Sequence, residues 1–144
     1  LGIVNAREME RVNLEGTRAV LEVAQQLGVT KLVYCSTIGV FGDTQGRVVD
    51  ETFQRTQKTF SSAYDRTKYE AQRLVDQAAA AGFDAVSVLP SGIFGPDDPH
   101  FGPVLKQFLK GGLKLWAGGD RMTGIVHVDD LAALVEVRGR TRPQ

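Results

Sequence analysis

Leu32-Val33-Tyr34-Cys35-Ser36-Thr37 is the stretch that decides the fold, because four apolar residues in a row lead directly into two hydroxyl side chains. A short, continuous apolar run is typical of a strand covered on both faces, as in a parallel sheet. A second such run follows at residues 85–89. Between the two runs, the pattern predicts a helix over about residues 63–81, with Ser62 as its cap and Gly82 as its stop. Two strands joined by a helix predict a parallel βαβ unit, and therefore an α/β fold.

The rest of the chain continues this alternation of helix and strand. Apolar residues at helical spacing predict an amphipathic helix over about residues 6–27. The remaining predicted elements are long loops at 38–60 and 90–103, a short helix at 103–110, a third strand at 125–127, and a last helix that Asp129 caps and that ends at about Val137. We therefore expect one domain over residues 1–137 and a polar tail at 138–144.

Composition excludes several classes of protein. The chain has 144 residues, and its 17 basic and 17 acidic residues balance, so nothing favours a nucleic-acid partner or a charged membrane surface. No apolar run reaches the roughly 18 residues that a membrane span requires. The one cysteine, Cys35, cannot form an internal disulfide, and it predicts a packed core thiol in a reduced, cytoplasmic protein. The sequence offers no cluster that predicts a metal site.

The two predicted strands place their carboxyl ends at one edge of the sheet. Thr37 follows the first strand and residues 90–96 follow the second, so the two segments should face each other across a cleft. Ligands of open α/β sheets bind along that edge. We therefore expect the functional site there.

Tyr64 and Lys68 lie one helical turn apart at the start of the helix between the strands, so both side chains project from one face. A phenol is a poor base at neutral pH, and a neighbouring ammonium favours its ionised form. The pair therefore indicates acid/base chemistry beside the predicted cleft.

Five segments, taken in order, resemble landmarks of the extended branch of the short-chain dehydrogenase/reductase superfamily. That branch includes NAD(P)-dependent epimerase/dehydratases, dihydroflavonol reductases and 3β-hydroxysteroid dehydrogenases. The resemblance covers nearly the whole chain, to about Val137. The segments are Val12-Asn13-Leu14-Glu15-Gly16-Thr17; Tyr34-Cys35-Ser36-Thr37 leading to Val40-Phe41-Gly42; Tyr64 with Lys68; Pro90-Ser91-Gly92-Ile93-Phe94-Gly95-Pro96; and Val126-His127-Val128-Asp129-Asp130.

The resemblance implies a role for each catalytic candidate. Tyr64 would be the general acid/base, exchanging a proton with a substrate hydroxyl or carbonyl oxygen during hydride transfer at the nicotinamide. Lys68 would bind the nicotinamide ribose and favour the phenolate. Thr37 would hydrogen-bond the reacting oxygen, and Ser36 is the alternative hydroxyl if the register is shifted by one residue.

The resemblance also implies cofactor and substrate contacts. Pro90, Ser91, Gly92 and Ile93 would lie beside the nicotinamide ring of NAD or NADP. His100 and Trp116 are substrate-side candidates, whereas Asn13, His127 and Asp129 have structural explanations that we prefer. A small-molecule substrate is implied, and so is a homodimer formed through the two helices that flank this region.

Two departures from the family pattern limit the functional prediction. Leu89 and Gly92 stand where sugar-nucleotide enzymes often carry Arg and Asn, which favours a reductase over a sugar epimerase. The Gly-x-x-Gly-x-x-Gly turn that cradles the pyrophosphate is absent. We therefore expect a partial Rossmann-type doubly wound parallel sheet with flanking helices, whose first βαβ units would lie upstream of Leu1, and weak or no binding of NAD(P) by the chain alone.

The function predicted from these features is the catalytic portion of an NAD(P)-dependent oxidoreductase or epimerase/dehydratase. The alternatives are a non-catalytic NAD(P)-sensing or scaffold homologue and a truncated, inactive product. The sequence separates neither NAD from NADP nor one substrate from another.

Overall fold

The computed structural model describes residues 5–99, 101–112 and 124–140. The predictions for His100 and Trp116 lie outside these residues. The helices are α1 (Ala6–Met9), α2 (Gly16–Gln26), α3 (Ala63–Ala80), α4 (Gly102–Leu109) and α5 (Val128–Arg140), with a π-helical segment at Glu10–Glu15 and a 3-10 helix at Ile38–Phe41. The strands are β1 (Leu32–Cys35), β2 (Ala85–Val88), β3 (Gly92–Phe94) and β4 (Ile125–His127).

The central unit is the predicted βαβ arrangement. Strands β1 and β2 pair in parallel, with Leu32 opposite Ala85 and Cys35 opposite Val88. The ladder continues beyond both strands, because the Ser36 amide donates to the Val88 carbonyl at 2.8 Å and the Ile38 amide donates to the Pro90 carbonyl at 3.1 Å. The α/β class and the parallel sheet with flanking helices are thereby confirmed.

Helix α3 begins and ends as the sequence predicts. The Ser62 side chain accepts a hydrogen bond from the Asp65 amide at 3.1 Å, which satisfies one of the free N–H groups of the first turn. Only this half of a capping box forms, because the Asp65 carboxylate accepts from the Ser61 hydroxyl instead. Ala81 caps the other end, and Gly82 follows with a positive φ of 97°.

The core lies between α3 and the sheet. Ala71 and Val75 are 0% and 1% exposed, and Thr67 beside them is fully buried. Leu32, Val33 and Tyr34 of β1 line a groove together with α2, and Val33 also lies against Gly139 of α5. Strand β1 therefore packs against two helices, α2 and α5.

Residues 90–103, predicted as a loop, contain a strand. β3 pairs in parallel with β4, with Ile93 opposite Val126, so that these strands form a second, separate two-stranded sheet. The third strand predicted at 125–127 is confirmed, but its partner is β3. The sequence gives little sign of this pairing, since each strand has only three residues.

The helix predicted over 6–27 forms, with two differences. Glu10–Glu15 adopts π-helical geometry, in which the Gly16 amide donates to the Arg11 carbonyl and the Thr17 hydroxyl donates to the Asn13 carbonyl at 2.6 Å. The apolar stripe itself is largely exposed: Val20 is 56% and Leu27 76% exposed, whereas the buried positions of α2 are Leu21 and Ala24.

Three further observations concern the sequence predictions. Cys35 is exposed rather than packed in the core, because β1 ends at this residue and its side chain is left uncovered. Helix α5 starts at Val128 and continues to Arg140, so Asp129 lies in its first turn and three residues of the predicted tail are helical. Among the described helices, none combines the length and hydropathy that a bilayer span requires.

Candidate active site

The carboxyl ends of β1 and β2 meet as predicted. Thr37 caps the 3-10 helix that follows β1, and its hydroxyl oxygen accepts from the Gly39 amide at 3.2 Å. We call Thr37 with Ile38–Phe41 the Thr37 turn. The Ile38 amide donates to the Pro90 carbonyl at 3.1 Å. This bond joins the Thr37 turn to the segment 90–93, so the structure brings two of the predicted site segments together.

The two hydroxyl candidates have different environments. Ser36 is 5% exposed, and its buried hydroxyl oxygen has no hydrogen-bond partner among the residues that the structure describes. Thr37 is half-buried and accepts a bond, so its own O–H remains available to donate. Thr37 is therefore the hydroxyl that can serve a reacting oxygen in the cleft.

Lys68 reaches the same edge of the sheet from α3. Its ammonium donates to the Cys35 carbonyl at 3.0 Å, and the same nitrogen lies 4.8 Å from the centre of the Tyr34 ring. A carbonyl and an aromatic face both stabilise a cation. The charge is therefore held at the last residue of β1, immediately before Ser36 and Thr37.

Tyr64 lies in the first turn of α3 and is half-buried. Within the described residues, no hydrogen bond to its phenol oxygen occurs. Its carbonyl and that of Ala63 both accept from the Thr67 hydroxyl, at 3.1 and 2.9 Å. Thr67 in turn accepts from the Asn13 side-chain amide at 3.1 Å. Asn13 thus contacts a side chain within the Tyr64–Lys68 turn, a more specific structural role than the sequence indicates.

The residues of the segment 90–93 have different environments in the structure. Pro90 is buried and bonded to Ile38, as described above, while Gly92 and Ile93 belong to β3 and are exposed. Ser91 lies against Gly124, where an added Cβ would be 3.0 Å from the serine hydroxyl oxygen. His127 is half-buried, and its Nδ1 accepts from the Asp129 amide at 3.3 Å, which matches the structural explanation.

A cluster around Arg55 was not predicted from the sequence. The guanidinium donates to the carbonyls of Gln57 and Thr59, at 3.1 and 2.7 Å, and lies 4.4 Å from the centre of the Phe60 ring. The guanidinium also packs against Gly42, the residue that follows the Thr37 turn. The bonds to Gln57 and Thr59 are local, but the contacts with Gly42 and with Tyr69 of α3 join distant parts of the chain, which no local sequence signal indicates.

Hydrogen bonds perturb the pKa values of two charged groups, one in the loop before α3 and one in α3. The hydroxyl and amide of Thr52 lower the pKa of Asp50. Hydrogen bonds from Arg66 to Glu10 and Glu70 raise the pKa of the Arg66 guanidinium. The Arg66–Glu10 bond, 3.0 Å long, joins α3 to the π-helical segment that contains Asn13.

Comparison with known proteins identifies the family. Residues 1–135 match the model of the 3-beta hydroxysteroid dehydrogenase/isomerase family. The chain belongs to this family. The resemblance to extended short-chain dehydrogenases stated from the sequence is therefore confirmed.

Two curated relatives of this family member are dehydrogenases or reductases by name. A ketoreductase of Stigmatella aurantiaca, which acts on 4-hydroxy-2-methyl-3-oxo-4-farnesyl-3,4-dihydroquinoline-1-oxide, is 35% identical over 84% of the chain. A decarboxylating sterol-4-alpha-carboxylate 3-dehydrogenase of Saccharomyces cerevisiae is 37% identical over 76% of the chain. The matches cover 36% and 32% of these relatives, so the chain spans about a third of their length.

Solved structures agree on the fold. UDP-glucose 4-epimerase of Thermus thermophilus, in complex with NAD, superposes with a TM-score of 0.69 at 26% identity, covering 91% of this chain and 46% of the epimerase. dTDP-glucose 4,6-dehydratase of Bacillus anthracis, also with NAD, gives a TM-score of 0.73 at 21% identity, covering 96% of this chain and 46% of the dehydratase. The second likeness concerns the fold alone.

Proposed function

We propose that this chain carries the catalytic residues of an NAD(P)-dependent oxidoreductase that acts on a secondary hydroxyl or ketone of a small molecule. The observation that supports this most is the position of the Lys68 ammonium, 3.0 Å from the Cys35 carbonyl at the end of β1. This contact brings the helix that carries Tyr64 to the strand end that carries Thr37. The bond between Ile38 and Pro90 adds the segment 90–93 to the same edge.

In this proposal, Tyr64 exchanges a proton with the reacting oxygen. General acid/base transfer of this kind contributes about 10²–10⁴-fold to a rate. Thr37 donates its hydroxyl hydrogen to the same oxygen. The bond from the Gly39 amide uses a lone pair of the Thr37 oxygen and leaves the O–H group free to donate. Lys68 has three N–H donors, and its bond to Cys35 leaves others for a ligand.

The residues present fit the nicotinamide end of a dinucleotide. NAD or NADP, when bound, accepts or supplies the hydride. The spare Lys68 donors suit ribose hydroxyls, and the segment 90–93 offers backbone groups and the exposed Ile93 side chain beside them. The sequence contains no Gly-x-x-Gly-x-x-Gly turn for the pyrophosphate, so these residues hold only part of such a cofactor.

The names of the relatives support a substrate class. Both curated relatives act at an oxygen-bearing carbon of a ring system, one as a ketoreductase and one as a 3-dehydrogenase. We therefore propose a cyclic alcohol or ketone rather than a sugar nucleotide, in agreement with Leu89 and Gly92. The exposed, free Cys35 thiol favours a reducing, cytoplasmic setting.

The experiment compares two tyrosines of α3 in the natural full-length protein. Turnover of a panel of 3β-hydroxysteroids and cyclic ketones is followed through nicotinamide absorbance, with NAD and with NADP. Tyr64→Phe should lose about 10²–10⁴-fold in kcat while cofactor affinity, measured by fluorescence titration, is retained. Tyr69→Phe removes a phenol from the same helix and should leave both quantities unchanged. Lys68→Met should harm turnover and cofactor affinity together.

Equal turnover of Tyr64→Phe and the parent would refute the mechanism. Cofactor binding by the parent without turnover of any alcohol or ketone would instead favour a non-catalytic, NAD(P)-sensing homologue.

A further inference from the structure

Arg55 is the centre of a cluster that connects distant parts of the site. Its Nε and Nη2 donate to the Gln57 and Thr59 carbonyls, and its guanidinium lies 4.4 Å from the Phe60 ring centre and 5.7 Å from that of Tyr69 in α3. A planar fork of donors that also stacks on rings is specific to arginine. Among the described residues, no carboxylate pairs with it. The guanidinium is therefore committed to backbone and ring contacts.

The same cluster contacts Gly42, the residue that follows the Thr37 turn. Gly42 has a φ of 70°, and a Cβ built there would lie 2.5 Å from Arg55 Nη1 and 2.6 Å from Gln57 Oε1. The Gln57 amide also donates to the Asp43 carbonyl at 2.6 Å. Glycine suits this position, because its backbone has a positive φ and because a Cβ would displace the ends of the Arg55 and Gln57 side chains.

We propose that Arg55 is a positioning residue that fixes the Thr37 turn relative to the start of the Tyr64 helix. On one side, the Arg55 guanidinium packs against Gly42, the first residue after the 3-10 helix that Thr37 caps. On the other side, it holds Thr59 and Phe60, which lead directly into the cap of α3 at Ser62. The Phe60 ring also packs on Tyr69 of α3, with ring centres 5.5 Å apart.

The functional consequence rests on the proposed function. Thr37 and Tyr64 belong to different elements, and both must reach one oxygen atom. A displacement of about 1 Å can cost about 10²-fold in rate. The loop between these elements, residues 43–61, has no regular secondary structure, so a fixed distance between them depends on contacts such as those of Arg55.

The test uses amide hydrogen exchange and steady-state kinetics on the natural full-length protein. Arg55→Met should accelerate exchange of the amides of residues 38–42 about tenfold, which corresponds to about 1.4 kcal/mol of local stability. It should also lower kcat about tenfold while the dissociation constant of the cofactor, measured by titration, stays within about twofold. Arg55→Lys keeps the charge but not the fork, so it should fall between Arg55→Met and the parent.

Arg47 is the matched control. It lies in the same loop, donates to the Thr44 carbonyl at 3.3 Å and lies 5.3 Å from the Phe53 ring centre. It makes the same kinds of contact but bridges neither Gly42 nor α3. Arg47 reaches the Thr37 turn through Phe53, whose ring centre lies 6.1 Å from that of Phe41. Arg47→Met should therefore accelerate exchange of residues 38–42 much less than Arg55→Met does, and it should leave kcat unchanged. Added guanidinium ion should partly restore kcat in Arg55→Met and do nothing for the control.

The outcomes separate this inference from the proposed function. Unchanged exchange of residues 38–42 in Arg55→Met, or equal acceleration in the Arg47 control, overturns the positioning role. Faster exchange with unaltered kcat overturns it as well, because the turn would then move without consequence for the reaction. A parent protein without turnover refutes the proposed function, and the exchange data alone then decide whether Arg55 holds the turn. If Arg55→Met does not fold, the same criteria apply to Arg55→Lys.

Discussion

The bond between Asn13 and Thr67 gives a prediction whose size can be worked out from the structure. Thr67 is fully buried within the Tyr64–Lys68 turn, and its hydroxyl accepts from the Asn13 amide at 3.1 Å. Thr67→Val keeps the shape of the side chain and removes only the hydroxyl. The bond itself contributes about 0.5–1.5 kcal/mol, and an unpaired buried donor costs about 1–3 kcal/mol.

The Asn13 amide is only half-buried, so its penalty should lie at the lower end. The carbonyls of Ala63 and Tyr64 lose the Thr67 hydroxyl but keep their helical N–H partners, so they add little. We expect Thr67→Val to lower the free energy of unfolding by about 1–2 kcal/mol. Asn13→Leu should cost less, because the Thr67 hydroxyl would still donate to the carbonyl of Ala63 at 2.9 Å.

The assay is urea unfolding of the two single variants and the double variant in the natural full-length protein, followed by far-ultraviolet circular dichroism. The bond can be lost only once, so the double variant should cost less than the sum of the two single variants, by about 0.5–1.5 kcal/mol. Additivity within about 0.3 kcal/mol would refute the reasoning, since residues that do not interact behave in this way. A changed urea dependence would indicate a change in the unfolded state instead.

Three further predictions address the hydroxyls, the core and the acidic loop. Ser36→Ala should be neutral or stabilising by up to about 1 kcal/mol in urea unfolding, because it removes a buried hydroxyl that has no partner among the described residues. Ser36→Ala should leave kcat unchanged, whereas Thr37→Val should lower it. A loss of kcat in Ser36→Ala but not in Thr37→Val would show that the register is shifted by one residue. Val75→Ala should cost about 2–3 kcal/mol in the same assay, since it leaves a cavity at a fully buried position, and a loss below about 0.5 kcal/mol would contradict this packing. Thr52→Ala should raise the pKa of Asp50 towards its ordinary value, as measured by nuclear magnetic resonance titration. Because the pKa of Asp50 is lower in the folded than in the unfolded state, the ionised carboxylate stabilises the fold above the unfolded-state pKa, and this contribution is lost as the pH falls through the folded-state pKa. Thr52→Ala should therefore lose some stability at neutral pH. An unchanged pKa of Asp50 in this variant would contradict the Thr52 contacts.

Local rules were sufficient for the central βαβ unit. The apolar runs of β1 and β2, the cap at Ser62 and the stop at Gly82 each depend on a few neighbouring residues, and all four are confirmed. Parallel pairing then brings both strand ends to one edge without further information. For this reason the meeting of Thr37 and Pro90 could be predicted before any distance was known.

Features that depend on distant partners could not be predicted. The strand at Gly92–Phe94 forms only through Ile125–His127, and the Arg55 cluster joins residues on both sides of a long loop. The exposed apolar stripe of α2 shows a further limit. Periodicity indicates that Val20 and Leu27 share a face, but it does not say whether that face is covered.

Strand alternation explains why two adjacent hydroxyls, indistinguishable by composition, have different environments. Ser36 continues the face of Tyr34, whose ring lies next to the Lys68 ammonium of α3, and its side chain is buried there. Its amide continues the ladder to Val88, and the Ile38 amide continues it in the same register to Pro90. Thr37 lies between these two bonded residues, so its side chain points to the opposite face, where it caps the next turn. The alternation of side chains past the end of β1 therefore sets the position of the candidate catalytic hydroxyl.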